Sequence, residues 1–259
     1  MALFQSFWHG ERLPKFVALS IKSFLDHGHD YHLYSYSELL ELPAGAQLLD
    51  AGRILSSDRV FYYRQPNGSQ GSVSAFSNLF RYDLLRRNGG WWVDTDVVCM
   101  SSDVPSTDTF WGWQDTNWIC SAILKVPAGH ALAEQAFHEA EAAGKDIKWG
   151  QCGPHLVTRL VQSLGLEDLT SPRAIAYPIY HTEHLLPVTT AGYVETVRRL
   201  NGQPFLHLWH EKFRLTNDPR IDHPEPGSFL DSVYCQQASA SDARITRILD
   251  ARHCREAQA

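Results

Sequence analysis

The stretch from Phe76 to Val98, FSNLFRYDLLRRNGGWWVDTDVV, restricts the fold more than any other part of this 259-residue chain. Its first half spaces Phe76, Leu79, Phe80, Leu84 and Leu85 as one face of an α-helix would, which predicts a helix over Ser74–Arg87 with Ser74 as N-cap. Gly89-Gly90 supplies the stop. Trp91–Asp94 then reads as a short buried strand that runs into acidic residues. A helix turned straight back into a buried strand is the repeating unit of α/β folds. The same alternation holds elsewhere: Leu3–Trp8 and His32–Tyr36 predict strands, Leu13–Phe24 a helix, and Val60–Tyr63 a third strand. The expected architecture is a mostly parallel α/β sheet flanked by helices, in a single domain covering residues 1–259.

Open parallel sheets bind ligands beyond the carboxyl ends of their strands, so the junction at Asp94 is the first place to look for chemistry. Asp94 and Asp96 stand two apart, and in extended backbone both carboxylates leave one face. Adjacent carboxylates repel and raise each other's pKa unless a cation lies between them. Mg²⁺ or Mn²⁺ suits such a pair and completes its shell with water and phosphate oxygens. Two solvated turn acids would give the same spacing. The preceding helix argues for chemistry, because Ser77, Asn78 and Arg81 share one polar face of an otherwise apolar helix. A guanidinium there matches phosphate oxygens in a bidentate way, while a salt bridge to Asp83 or Asp94 is its competing role.

Composition narrows the partners. The net charge is −6 and no basic block or stripe occurs, which disfavours nucleic acid and leaves any phosphate to a few local groups or a metal. Cys99, Cys120, Cys152, Cys235 and Cys254 are odd in number and lack metal-ligand or redox-motif spacing, as reduced thiols in the cytoplasm would. The first residues carry no signal-peptide pattern, and no window approaches the apolar length of a membrane span. Peripheral attachment at the inner membrane face stays open. Trp91, Trp92, Trp111, Trp113 and Trp118 crowd one stretch, which reads first as packing, although indoles also stack on sugar rings and bases. Gln65–Ser72 and Thr216–Ser228 read as loops, the latter either a closing lid or a plain loop, and Ser241–His253 as a polar helix.

The central stretch resembles the sugar-binding region, with its Asp-x-Asp motif, of family 32 glycosyltransferases. That family includes yeast mannosyltransferases of the outer-chain initiation type and, more distantly, the glucosylating domains of large clostridial toxins. Ser77, Arg81-Tyr82, Gly89-Gly90 and Trp92-Val93-Asp94-Thr95-Asp96 carry the pattern, and Asn78 departs from it where the family usually has Asp. Three further segments resemble, in the same order, the vertebrate lactosylceramide α-1,4-galactosyltransferases and α-1,4-N-acetylglucosaminyltransferases. They are Phe7-Trp8-His9, Gly153-Pro154-His155-Leu156-Val157-Thr158 and Phe205-Leu206-His207-Leu208-Trp209.

The resemblance implies a GT-A (Rossmann-like) nucleotide-sugar-binding fold and a retaining hexosyl transfer. The donor would be a nucleotide-diphosphate sugar, with a UDP-sugar favoured, and the acceptor a glycan or other glycoconjugate. It implies Mn²⁺ or Mg²⁺ on Asp94, Asp96 and His207. It also implies donor contacts from Phe7, Trp8, Ser77, Asn78, Arg81, Asp94, Gln151, Gly153, Pro154, His207, Trp209 and Lys212. The catalytic set it implies is Asp94, Asp96 and Arg81, with Asp115 and Asn117 at the donor sugar or acceptor. Two other classes compete. A metal-dependent nucleotide-sugar hydrolase would need further carboxylate or His ligands clustered along the chain. An inactive sugar-binding module finds its one hint in Asn78.

Overall fold

The computed structural model describes residues 1–64 and 71–237. Strand β1 (Leu3–Trp8) leads through helix α1 (Lys15–Asp26) into β2 (Asp30–Ser35), and a short loop follows to β3 (Gln47–Asp50). Helix α2 (Ser74–Asn88) turns directly into β4 (Gly90–Val93), then β5 (Val97–Cys99), β6 (Phe110–Trp113) and β7 (Ile119–Val126). Helices α3 (Ala131–Ala143), α4 (Pro154–Ser163), α5 (Arg173–Ala176) and α6 (Tyr193–Leu200) come next, then β8 (Phe205–His207) and α7 (His210–Thr216).

Six strands form one sheet in the order β3-β2-β1-β4-β7-β6, and β5 pairs with β8 in a separate antiparallel ribbon. The β3/β2, β2/β1 and β1/β4 pairs are parallel, while β4/β7 and β7/β6 are antiparallel. The sheet is therefore mixed but mostly parallel, as the helix–strand alternation predicts. Alternate residues of each strand feed opposite faces. Phe4, Tyr31, Leu33, Trp91 and Val93 pack with α1, the ribbon and α7, whereas Phe7, Tyr34 and Trp92 pack with α2, α3 and α4.

Two sequence expectations are corrected. Val60–Tyr63 is not a strand: it is extended chain laid against α2, with Phe61 edge-on to Phe76 at 6.0 Å. The third parallel strand is β3, a four-residue edge strand with no buried residue, so it leaves no apolar run to read. Ser74 is the first residue of α2 rather than its cap; Val73 holds the cap position without a side-chain bond.

The turn after α2 does follow the prediction. Gly89 has φ 65°, a left-handed value open to glycine, and a Cβ there would meet the Ala128 nitrogen at 2.4 Å. Among the described residues no helix is long and apolar enough to cross a membrane. Cys99, Cys120 and Cys152 are buried thiols. The polar helix read over Ser241–His253, Cys254 and the loop residues 65–70 lie outside the described residues. Thr216–Ser228, read as a lid or loop, is tied down at several points. Asp222 accepts from the Phe16 N–H at 3.0 Å, Glu225 accepts from the Thr190 N–H at 2.9 Å, and Ile221 is buried.

Candidate active site

A cleft of about 560 Å³ opens beyond the carboxyl ends of β1 and β4, where the topology of a parallel sheet predicts it. The acidic pair sits at its floor. The backbone does not stay extended there, as the spacing argument assumed: Val97 N–H donates to the Asp94 carbonyl at 3.0 Å, so Asp94-Thr95-Asp96 is a turn between β4 and β5. The carboxylates converge all the same, because separate elements hold each one.

Asp94 is fixed from the α2 side. Its Oδ1 accepts from Arg81 Nη2 at 2.6 Å and from Trp92 Nε1 at 2.8 Å. Arg81 is 2% exposed and also donates Nη1 to the Ser121 carbonyl at 2.5 Å. The salt bridge to Asp94 weighed from sequence is therefore present, and Arg81 lines the cleft while bound to the acid.

Asp96 is fixed from the other side. β8 pairs with β5 so that His207 faces Val97, and the chain beyond β8 folds over the acid. Leu208 N–H donates to the Asp96 carbonyl at 2.9 Å, and His210 N–H donates to Asp96 Oδ2 at 2.8 Å. His207 Nε2 lies 3.2 Å from the same oxygen. Trp209 makes this wrap possible at φ 57° and ψ 45°, a left-handed backbone rare for a bulky residue. Its ring packs on His207 at a tilt of 41° with centroids 4.0 Å apart, and its Nε1 donates to the Ile179 carbonyl at 3.0 Å.

The environment separates the two acids. Burial pushes the Asp94 carboxyl above its usual range, with the Arg81 charge opposing and the Asp96 charge adding. Burial also works to raise Asp96, but the charge and hydrogen bond of His207 outweigh it and hold that carboxyl well below its usual range. The imidazole is the complement. Burial alone would lower it, and the Asp96 carboxylate pushes it up to about 10.

Asp94, Asp96 and His207 each offer one ligand atom, and these atoms all lie within 4.8 Å of one another. Their side chains are 30%, 13% and 7% exposed, so the group opens on the cleft at Asp94 and closes behind at His207. Nδ1 of His207, the ring nitrogen that is not turned to Asp96, is buried without a hydrogen-bond partner. Two carboxylates and an imidazole at this separation fit a divalent ion.

Sequence-selected residues from distant segments meet around this group. Phe7, Trp8, Ser77, Asn78, Arg81, Asp94, Asp96, Gly153, Pro154, His207, Trp209 and Lys212 all line the cleft. Pro154 opens α4 at its first position behind Gly153, and a Cβ on Gly153 would lie 3.5 Å from Asn78, so α4 approaches α2 closely there. Among the described residues Lys212 forms no ion pair, while Arg214 is bound in a fork by Glu211 at 2.5 and 2.7 Å.

Three selected residues are not in the cleft lining. Asp115 pins its own turn by accepting from Asn117 N–H at 2.8 Å and Trp118 N–H at 2.9 Å, and Asn117 is exposed beside it. Gln151 borders a neighbouring groove instead. Conversely, His9, Phe16, Gln114, Trp149, His181, His210 and Arg214 line the cleft without having been singled out. His9 accompanied the quoted Phe7-Trp8, and His210 follows Trp209 directly. His181 and Trp149 sit in segments whose pattern gives no sign of them. Burial lowers the pKa of His9 and of His181, so both imidazoles are neutral near pH 7.

No family model matches the chain, and no curated protein does. Two solved glycosyltransferase structures align with it at 10% identity. PaToxG Glycosyltransferase aligns with a TM-score of 0.47 over 64% of this chain and 71% of that one. The apo-form glycosyltransferase GlyE of Streptococcus pneumoniae TIGR4 aligns with a TM-score of 0.38 over 80% of this chain and 54% of that one. This chain thus spans about half the length of GlyE. Neither likeness is near enough to decide the function.

Proposed function

We propose that this chain is a GT-A glycosyltransferase that moves a hexose from a UDP-sugar to a glycan or other glycoconjugate acceptor. The observation that carries the reading is the convergence of Asp94, Asp96 and His207 at the strand ends, on the floor of a cleft flanked by aromatic rings and Lys212. That floor suits a diphosphate, and the aromatic wall at Phe7 and Trp8 suits a base. Asp94, Asp96 and His207 would hold a divalent ion whose chemistry is to neutralise the charge of a departing diphosphate. An imidazole in the set turns the preference from Mg²⁺, which takes all-oxygen shells, towards a first-row ion such as Mn²⁺.

This chain's residues have separable tasks in that reaction. Lys212 adds positive charge beside the leaving group, and Arg81 holds Asp94 in place rather than contacting phosphate on its own. The bond from the anomeric carbon to the β-phosphate oxygen breaks as the acceptor oxygen bonds to that carbon. The acceptor proton passes to the departing phosphate. Among the cleft residues none stands out as a covalent nucleophile, so we favour transfer with retention on one face of the sugar. The proposed setting is the cytoplasm, free or peripheral on the inner membrane face, with surface polysaccharide or another glycoconjugate as product.

The test is nucleotide release from UDP-glucose, UDP-galactose and UDP-N-acetylglucosamine, with Mn²⁺ and with chelator, for wild type and Asp96→Asn. We expect Mn²⁺-dependent UDP release that falls at least about a hundredfold in the variant. Asp96 is the better target because Asp94→Asn would also leave the buried Arg81 without its counter-charge, a fold defect in its own right. Failure of UDP and GDP to bind with any divalent ion would overturn the reading.

A further inference from the structure

A second depression of about 490 Å³ lies beside the cleft, bordered by Trp118, Glu139, Gln151, His155, Leu156 and Arg159. We propose that it is an acceptor subsite that binds a pyranose unit of a saccharide, an inference that rests on the transferase reading above.

Three observations carry it. The first is an indole left at the surface. Trp118 is 37% exposed, and its ring is backed by His155 with centroids 4.2 Å apart. A supported but uncovered indole offers the apolar platform on which the C–H face of a sugar ring packs. The second is the character of the polar border. The Glu139 carboxylate and Arg159 guanidinium form an ion pair, so the groove presents planar donors and acceptors with no spare charge. Gln151 uses its Oε1 on the Lys148 N–H at 3.0 Å, a bond that does not involve its amide nitrogen. Neutral hydroxyl groups fit such a border, whereas a phosphate finds no unpaired cation there.

The third is continuity with the cleft. Two loops form the partition, and each presents residues to both sides. In the β6–β7 turn, Gln114 lines the cleft and Trp118 the groove, joined by the Gln114 N–H donating to the Trp118 carbonyl at 2.9 Å. Before α4, Trp149 and Gly150 line the cleft while Gln151 lines the groove, joined there by His155 from the first turn of α4. A Cβ on Gly150 would lie 3.2 Å from the His155 ring, so the cleft-lining Gly150 and the groove-lining His155 are in close contact. Trp149, 56% exposed, adds a second indole on the cleft side of the same wall. A saccharide that crosses this rim would keep one ring in the groove and bring its next unit into the cleft.

The experiment is saturation-transfer NMR on the full chain with maltotriose, cellotriose, lactose and chitotriose at millimolar concentration, for wild type, Trp118→Ala, Trp118→Phe and Asp96→Asn. UDP with Mn²⁺ is titrated separately into each. We expect at least one saccharide to bind wild type, with affinity falling about tenfold in Trp118→Ala and little in Trp118→Phe. Asp96→Asn should lose UDP and keep the saccharide. Equal saccharide binding by Trp118→Ala and wild type, with both folded by melting temperature, would overturn the subsite and leave the transferase reading standing. Absence of binding by all four saccharides would also overturn it. Saccharide binding without any nucleotide binding would instead sink the transferase reading and with it the role of acceptor.

Discussion

At the scale of residues, the site is organised by a proton. His207 faces Asp96 across 3.2 Å with its pKa pushed up to about 10, so in the metal-free protein the pair is imidazolium and carboxylate at neutral pH. A metal ion accepts only the neutral imidazole, so its binding must expel that proton. Mn²⁺ affinity should therefore rise by up to about tenfold per pH unit between pH 6 and 9. Calorimetry in two buffers of different ionisation enthalpy should register about one proton released per ion. A pH-independent affinity would mean that His207 is not a ligand. In the metal-free fold the sign is opposite. A raised His pKa gives stability that is complete below the ordinary value of 6.5 and fades as pH rises towards 10, so His207→Asn should narrow its deficit in melting temperature with increasing pH. Trp209 is the second decisive residue, because its left-handed backbone and its ring contact with His207 serve the same wrap around Asp96. Trp209→Ala should cost about 3–5 kcal/mol in urea unfolding. It should also weaken Mn²⁺ binding roughly tenfold or more through the unsupported imidazole. Unchanged Mn²⁺ affinity would show that the ring supports the fold alone.

At the scale of elements, the hinge between α2 and β4 brings Arg81 and Asp94 together. Gly89 answers two demands there, a left-handed φ and backbone contact with Ala128. Gly89→Ala should therefore cost at least about 2 kcal/mol. Gly129→Ala is the control, since φ is +73° there but a Cβ would meet nothing within 4 Å. Thermal melts of the two separate collision from backbone strain, and equal losses would contradict the contact with Ala128. This hinge was legible in the sequence, because helical periodicity, two glycines and a buried run follow one another with no gap. β3 was not: its four residues lie at the sheet edge with no face buried, and its hydrogen bonds to β2 impose no apolar pattern. Val60–Tyr63 misled for the complementary reason. Its apolar side chains serve the packing against α2, and its backbone pairs at Tyr63 with Gly71 and Ser72, outside the sheet; side-chain burial alone cannot distinguish that from a strand.

At the scale of the whole molecule, the candidate site is a meeting of several distant sequence regions, and this sets what could be read beforehand. Residues with a chemical signature of their own, such as Asp94, Asp96 and Arg81, were visible locally. His181 and Trp149 reach the cleft only through tertiary packing and leave no local trace. Asp115, Asn117 and Gln151 were placed by order along the chain, yet Asp115 and Asn117 belong to a turn that folds back on itself, and Gln151 borders the neighbouring groove. A ligand that joins the regions must stabilise the fold by mass action. UDP with Mn²⁺ at about a hundred times its dissociation constant should add ~2.7 kcal/mol, a rise in melting temperature of roughly 5–10 °C. Asp96→Asn should abolish that rise, and a rise of equal size without the ion would argue against a shared metal–diphosphate site. The wrap around Asp96 has a further consequence for the order in which the molecule is made. All six strands of the central sheet lie between Leu3 and Val126, whereas the His210 N–H that closes on Asp96 comes 114 residues after it. On the ribosome the sheet can be finished while the closing segment is still unsynthesised. The proposed metal and donor site is thus incomplete until nearly all of the described polypeptide has emerged.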